Sequence, residues 1–319
     1  VGHLDPPLLM ITLASMGVGL ATVFSATYDS QNRLMSQFIN MAVALTLMWG
    51  VAQLPPQKLM RFAVPLYVIG LILLVMVFLF GIKVNGARRW LNIGITRIQP
   101  SEIMKLAMPL MLAWYFHKYE AALKFRHYAV AALLLIVPFR LVAKQPDLGT
   151  AILIGAAGFY VLFFAGLQWK VMIGLAAAGA AAAPVLWTFL HDYQKKRILT
   201  LIDPTTDPLG SGYHIIQASI AIGSGGPTGK GWLQGTQTHL EFIPEKHTDF
   251  IFAVFSEEWG LIGNSVLLVL YLLLIGRGMM IAANASTLFG RLLAASITLS
   301  LFTYAFINMG MVSGIMPVV

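Results

Sequence analysis

Apolar runs return along this 319-residue chain at positions 8–25, 38–53, 64–82, 103–116, 128–143, 150–167, 171–190, 250–275 and 292–312. Their repetition constrains the fold more tightly than any motif. A helix crosses the hydrocarbon core with about 20 apolar residues, and within lipid it satisfies all its backbone groups internally. The reading is an all-α integral membrane protein, a polytopic helix bundle of about nine spans. It forms one domain over 1–319, with a long extracytoplasmic loop at 191–248. Composition agrees: 58% of residues are hydrophobic and 11% charged, against about 25% charged in a soluble domain, and mean hydropathy is +0.78. The first run is preceded by Asp5 and only His3 where a basic region would open a signal peptide. It therefore reads as a membrane anchor. The chain opens at Val1 and stops at Val319 just past an apolar run, so both ends read as trimmed.

Cations in the short loops set the orientation. Lys58 and Arg61 follow the second run, Lys118, Lys124 and Arg126 the fourth, and Lys170 the sixth, while Arg277 and Arg291 flank the loop after the eighth. By the positive-inside rule these alternate loops, and the N-terminus with them, face the cytoplasm. The outer segments are basic as well: Lys83, Arg88, Arg89 and Arg97 in one, Lys195, Lys196, Arg197, Lys230 and Lys246 in the other. One reading is headgroup contact by an interfacial segment anchored by Trp90. The other is an external anionic ligand such as a phosphate-bearing lipid. Recurrence of cations at several span mouths on one side favours the second.

An ionisable side chain at the lip of an apolar run is costly in lipid and is a functional candidate for that reason. Before the fourth run, Ser101 can cap a helix, with Glu102 in the first turn, where the helix dipole favours an anion. Glu102 and Lys105, three residues apart, share a face. They form a structural ion pair, or Lys105 answers a ligand anion near the positive helix end. Asp147, in Gln145-Pro146-Asp147-Leu148-Gly149-Thr150, suits an N-terminal cap. Glu257 and Glu258 are adjacent and point to different faces, so at least one faces a bundle interior or a partner. The densest cluster is His239, Glu241, Glu245, His247 and Asp249, leading directly into the run that starts at Phe250. Its spacing fits no standard zinc site; a hard divalent ion, Mg or Mn, shared with a diphosphate suits it better, and no dedicated metal site is assigned. With no cysteine, disulfides, Cys-ligated zinc and thiolate catalysis are excluded. The stretch 223–231 resembles a P-loop, but Ser224 stands at its opening position and Gly231 follows Lys230 where a hydroxyl should hold magnesium. It reads as a flexible loop turn.

Several segments together resemble the SEDS family of bacterial cell-wall polymerases, its elongation branch more than its division branch. They are Asn85-Gly86-Ala87-Arg88-Arg89-Trp90-Leu91, then Gln99-Pro100-Ser101-Glu102 with Lys105, and Gln145 to Thr150. Further along come Pro208-Leu209-Gly210-Ser211-Gly212-Tyr213-His214-Ile215-Ile216-Gln217, the Gly231-Trp232 and Gly235-Thr236-Gln237 region, and His247-Thr248-Asp249-Phe250-Ile251-Phe252-Ala253. The family continues past Val319 into a Pro-Leu-Pro and Ser-Tyr-Gly-Gly region and a tenth helix, both missing from this sequence. The resemblance implies a peptidoglycan glycosyltransferase that polymerises lipid II, a disaccharide-pentapeptide on undecaprenyl diphosphate, at the outer face of the bacterial inner membrane during elongation. It implies Asp249 as general base on the acceptor 4-hydroxyl. The alternative for Asp249 is a helix N-cap beside Thr248. Lys105 and Arg89 are expected to contact the diphosphate, with Glu102 positioning Lys105. Implied partners are lipid II, membrane lipid and a class B penicillin-binding protein; no nucleic acid is expected. The rival function is a flippase that moves lipid II unchanged, since charged groups and Pro- or Gly-broken spans also fit transport. Against it, the ionisable groups gather on the outer side and form no midplane relay.

Overall fold

The structure, a computed structural model, describes residues 4–27, 31–84, 87–92, 94, 97–190, 192–207, 210–239, 242–243 and 246–316. Asn85, Gly86, His191, Pro208, Leu209, Glu241 and Glu245 lie outside the described residues, as do the side chains of Lys83, Arg88, Arg197 and His239. The chain is helical almost throughout. The helices are α1 (Pro6–Ala26), α2 (Gln31–Ala52), α3 (Pro56–Phe80), α4 (Pro100–Lys118), α5 (Phe125–Ala143) and α6 (Leu148–Phe164). They continue as α7 (Trp169–Phe189), α8 (Asp192–Ile202), α9 (Ser211–Gly225), α10 (Thr236–His239), α11 (Ile251–Ala283) and α12 (Leu288–Val312). Each apolar run coincides with one helix, give or take a few terminal residues. Among the described residues, six helices are long and apolar enough to cross a membrane by length and composition, while α6 and the Trp169–Val185 part of α7 are shorter apolar segments. The exposed large side chains are those of a lipid-facing surface: Phe38, Leu47, Phe80, Leu272 and Phe306 are all open. This is a multi-pass membrane protein.

The helices form two compact units. The first comprises 1–53, 177–274 and 304–319, the second 54–176 and 275–303. The second is built around α4, whose Met104, Met108, Leu112 and Phe116 are fully buried among α3, α5, α6 and the start of α12. That burial explains why α4 carries charge and still holds its place: protein, not lipid, covers most of its surface. Polar side chains tie this unit's helices together through backbone carbonyls. Tyr67 donates to Leu134 O at 2.6 Å, Tyr128 to Ala165 O at 2.7 Å and Ser296 to Ala157 O at 2.8 Å. Such bonds hold apolar helices together where burial in lipid supplies no hydrophobic drive. A small antiparallel sheet of β1 (Ile82–Val84), β2 (Ala87–Asn92) and β3 (Arg97–Ile98) fills the α3–α4 connection, with Ile82 opposite Trp90 and Leu91 opposite Ile98.

The first unit gathers α1, α2, the second half of α7, α8–α10, α11 as far as residue 274 and the end of α12. Its core joins Ala26, Ala218, Ala221, Ile243, Phe250, Ala253, Val254 and Met311. The segment 191–248 is thus more than a loop: its α9 lies in a packed core. Lys196 pairs with Asp207 at 3.2 Å beneath α8. Nearby, the Thr205 hydroxyl and backbone N–H donate to Asp203 and hold its carboxyl below the usual range.

The stretch 223–231 differs from its sequence reading. α9 runs to Gly225, and the turn after it docks into a break in α11 at Gly260, where φ is 61° and ψ −159°. At that break Leu261 N–H and Ile262 N–H bond to Gly226 O (2.9 Å) and Pro227 O (3.0 Å) in place of helix carbonyls. The freed Glu257 O and Glu258 O accept instead from Lys230 N–H (3.0 Å) and Gly231 N–H (2.9 Å). These four backbone groups released by the kink thus find partners, as burial requires. The turn is pinned, not flexible. Two glycines make this possible: a Cβ on Gly229 would strike Glu258 O, and one on Gly260 would strike Gly229 N.

Candidate functional site

In the second unit, Arg89, Glu102 and Lys105 stand on β2 and the first turns of α4. α4 begins at Pro100 with Gln99 as its N-cap residue, so Ser101 is a buried first-turn residue and not the cap expected from sequence. Lys105 Nζ lies 2.6 Å from Glu102 Oε2, the i,i+3 pair that the spacing implies, with the lysine mostly covered and the carboxylate half exposed. The exposed half limits what this pair adds to stability, since solvent-facing pairs contribute about 0–1 kcal/mol. Arg89 donates through Nη2 to Pro146 O at 2.6 Å, and its Nε is 4.0 Å from Asp147. Asp147 caps α6 by accepting from Thr150 N–H at 3.2 Å, and it also accepts from Gln99 Nε2 at 3.1 Å. Gln145 donates to Leu74 O at 3.1 Å. A buried acid therefore ties β2, the α4 entrance and the α5–α6 junction together, which is the structural role read for it from sequence.

In the first unit, Asp249 lies in the turn that precedes α11 by two residues and is exposed. Its carbonyl accepts from Asn308 Nδ2 of α12 at 3.0 Å. Three residues earlier, Lys246 Nζ donates to Thr238 O of α10 at 3.0 Å. α10 is in turn held from beneath by Glu257, which is fully buried. Glu257 accepts from Gln237 N–H (2.8 Å), Thr238 N–H (3.2 Å), the Thr238 hydroxyl (2.9 Å) and Lys230 Nζ (2.8 Å). Glu258, on the other face, accepts from the hydroxyl of Ser25 in α1. Both glutamates thus face protein, on different sides of α11.

These supports were only half visible in sequence. Glu257 stood out as a charge inside an apolar run, but its partner Lys230 sat in a stretch read as flexible. Asn308 carried no signal, being one amide in a long apolar helix. Among the described residues no three His, Asp or Glu side chains gather closely enough to hold a metal ion.

The chain matches the FtsW/RodA/SpoVE family model, described as "Cell cycle protein", over residues 6–319. It is 51% identical to the peptidoglycan glycosyltransferase MrdB of Escherichia coli K12, over 99% of this chain and 86% of that protein. A chain from a structure described as a peptidoglycan synthase complex that coordinates polymerization and crosslinking superposes with a TM-score of 0.84 at 34% identity, covering 98% of this chain and 88% of that one. A mutant of the rod-shape-determining protein RodA of Thermus thermophilus gives 0.72 at 29% identity, covering 98% and 87%.

Proposed function

The chain belongs to the FtsW/RodA/SpoVE family of cell cycle proteins, and we infer from that membership that it is a peptidoglycan glycosyltransferase. The observation that carries this is the 51% identity to a named glycosyltransferase, sustained over 99% of the chain. The substrate is lipid II, and the reaction joins two of its disaccharides. The acceptor 4-hydroxyl oxygen attacks the donor's anomeric carbon while the bond from that carbon to the diphosphate oxygen breaks. The lipid diphosphate leaves with the electron pair, and the hydroxyl proton passes to the Asp249 carboxylate.

Several features support Asp249 as this base. The residue is exposed while its backbone carbonyl is held by Asn308, and a positioned, reachable carboxylate is what a base needs. A diphosphate is a good leaving group and needs charge stabilisation more than protonation, which suits Lys105 and Arg89 as cations for it. Glu102, 2.6 Å from Lys105, positions that ammonium. Mg or Mn is proposed to arrive with the diphosphate as part of the substrate, and no step is routed through it. The protein is placed in the bacterial inner membrane, with its N-terminus cytoplasmic and this chemistry on the outer face. A class B penicillin-binding protein is its proposed partner.

The test is polymerisation in detergent, where no leaflets exist to cross. Purified full-length protein with its transpeptidase partner and a divalent ion should elongate lipid II. Failure to make polymer, combined with transfer of labelled lipid II across liposome membranes by the same preparation, would make the flippase reading the better one.

A further inference from the structure

The polar face of α2 is unexplained by anything above. Asn32, Arg33, Ser36, Gln37 and Asn40 repeat at helical spacing, so they form one stripe that runs nearly half the length of an otherwise apolar span. Turned to lipid, such a stripe would be costly; in membrane helices polar side chains face partners or water-filled cavities. Here all five line an open cleft of about 360 Å³ in the first unit, bordered by the end of α1 and by His247 and Thr248. Arg33 Nη1 donates to the His247 ring, 2.8 Å from Nε2. Asp249 is the next residue after the Thr248 wall.

We propose that this cleft is the acceptor subsite: the α2 stripe binds the sugar whose 4-hydroxyl gives its proton to Asp249. The proposal rests on the reading of Asp249 as base and deepens it. The chemistry of the lining selects the ligand class. Three side-chain amides offer both donors and acceptors, and the Ser36 hydroxyl, which donates to Asn32 O at 2.9 Å, adds an acceptor; this suits a neutral, hydroxyl- and acetamido-bearing sugar. A diphosphate would call for several cations, and the stripe supplies only Arg33. That single guanidinium can donate to the acetamido carbonyl or hydroxyl oxygens of such a sugar, a charge-assisted contact stronger than those of the amides. The donor, whose departing group is a diphosphate, is left to the cations elsewhere in the chain.

The experiment separates the two substrates that are normally identical. A lipid-linked disaccharide with its 4-hydroxyl methylated can serve only as donor. One carrying a non-cleavable phosphonate at the anomeric position can serve only as acceptor. With full-length protein and its transpeptidase partner, Gln37→Ala and Asn40→Ala should each raise KM for the acceptor-only compound by about three- to tenfold, the worth of one neutral hydrogen bond. KM for the donor-only compound should stay within about twofold, inside that same range. Arg33→Ala should weaken acceptor binding more than either, and Arg33→Lys should restore part of it. Direct binding of the acceptor-only compound, measured with the melting temperature of each variant, covers the case of a poorly folded protein. Unchanged acceptor affinity in the folded fraction overturns the proposal, as does a rise in donor KM alone. Failure of the base reading shows elsewhere, as an Asp249→Asn protein with undiminished kcat.

Discussion

Asp249→Asn changes one atom of the side chain and removes a proton acceptor. Its backbone tie to Asn308 uses the carbonyl and survives the change. Glycan synthesis should therefore fall by about 10²–10⁴-fold, the usual cost of losing a general base, while the melting temperature holds. Near-normal product from this variant would remove Asp249 from the mechanism. Lys105 asks a different question, because its contact with Glu102 allows either a structural or a substrate role. Substrate contact predicts that Lys105→Ala stays folded, loses activity and binds lipid II weakly, with Lys105→Arg partly active because the charge persists. A structural pair predicts instead that Lys105→Ala and Glu102→Ala each lower the melting temperature, with the double variant losing less than the sum. At this scale much was legible. A charge in an apolar run is visible in any single sequence, and helical spacing links Glu102 to Lys105. What spacing cannot supply is a partner distant in the chain: nothing in the sequence joins Arg89 to Pro146, or Asn308 to Asp249.

The element that organises the α9–α10 region of the first unit is the broken α11. Lys230→Met would leave the buried Glu257 carboxylate without its cation, and stranding one member of a buried pair costs about 3–5 kcal/mol. Glu257→Gln in the same background should recover much of that, since the amide keeps oxygen contacts for the α10 N–H groups without the charge. Thermal melting in detergent of the two singles and the double checks this, and simple additivity would refute the coupling. Gly229→Ala should destabilise as well. Gly229 has φ of 80°, a conformation costing other residues about 1–3 kcal/mol, before the clash with Glu258 O is counted. Helix positions were readable because lipid demands long apolar runs. The docked turn was not: glycines signal freedom of backbone equally in a mobile loop and in a tight fit, and only the facing carbonyls decide which.

Over the whole molecule, absence of cysteine makes topology directly measurable, since any introduced thiol is the sole one. Lys58→Cys and Lys118→Cys should be shielded from an impermeant maleimide in intact spheroplasts, and Asp203→Cys should react. Labelling in the reverse pattern would invert the orientation drawn from loop charges. A second property concerns the order of synthesis. Both compact units take their last segment from beyond residue 274. Until the ribosome has passed that point, Ala157 has no Ser296 and Asp249 no Asn308. Neither core is complete before then, since Phe289 and Leu292 finish one and Met311 and Val312 the other. For this chain α12 finishes both units, and a translation arrest before 275 would leave both incomplete together.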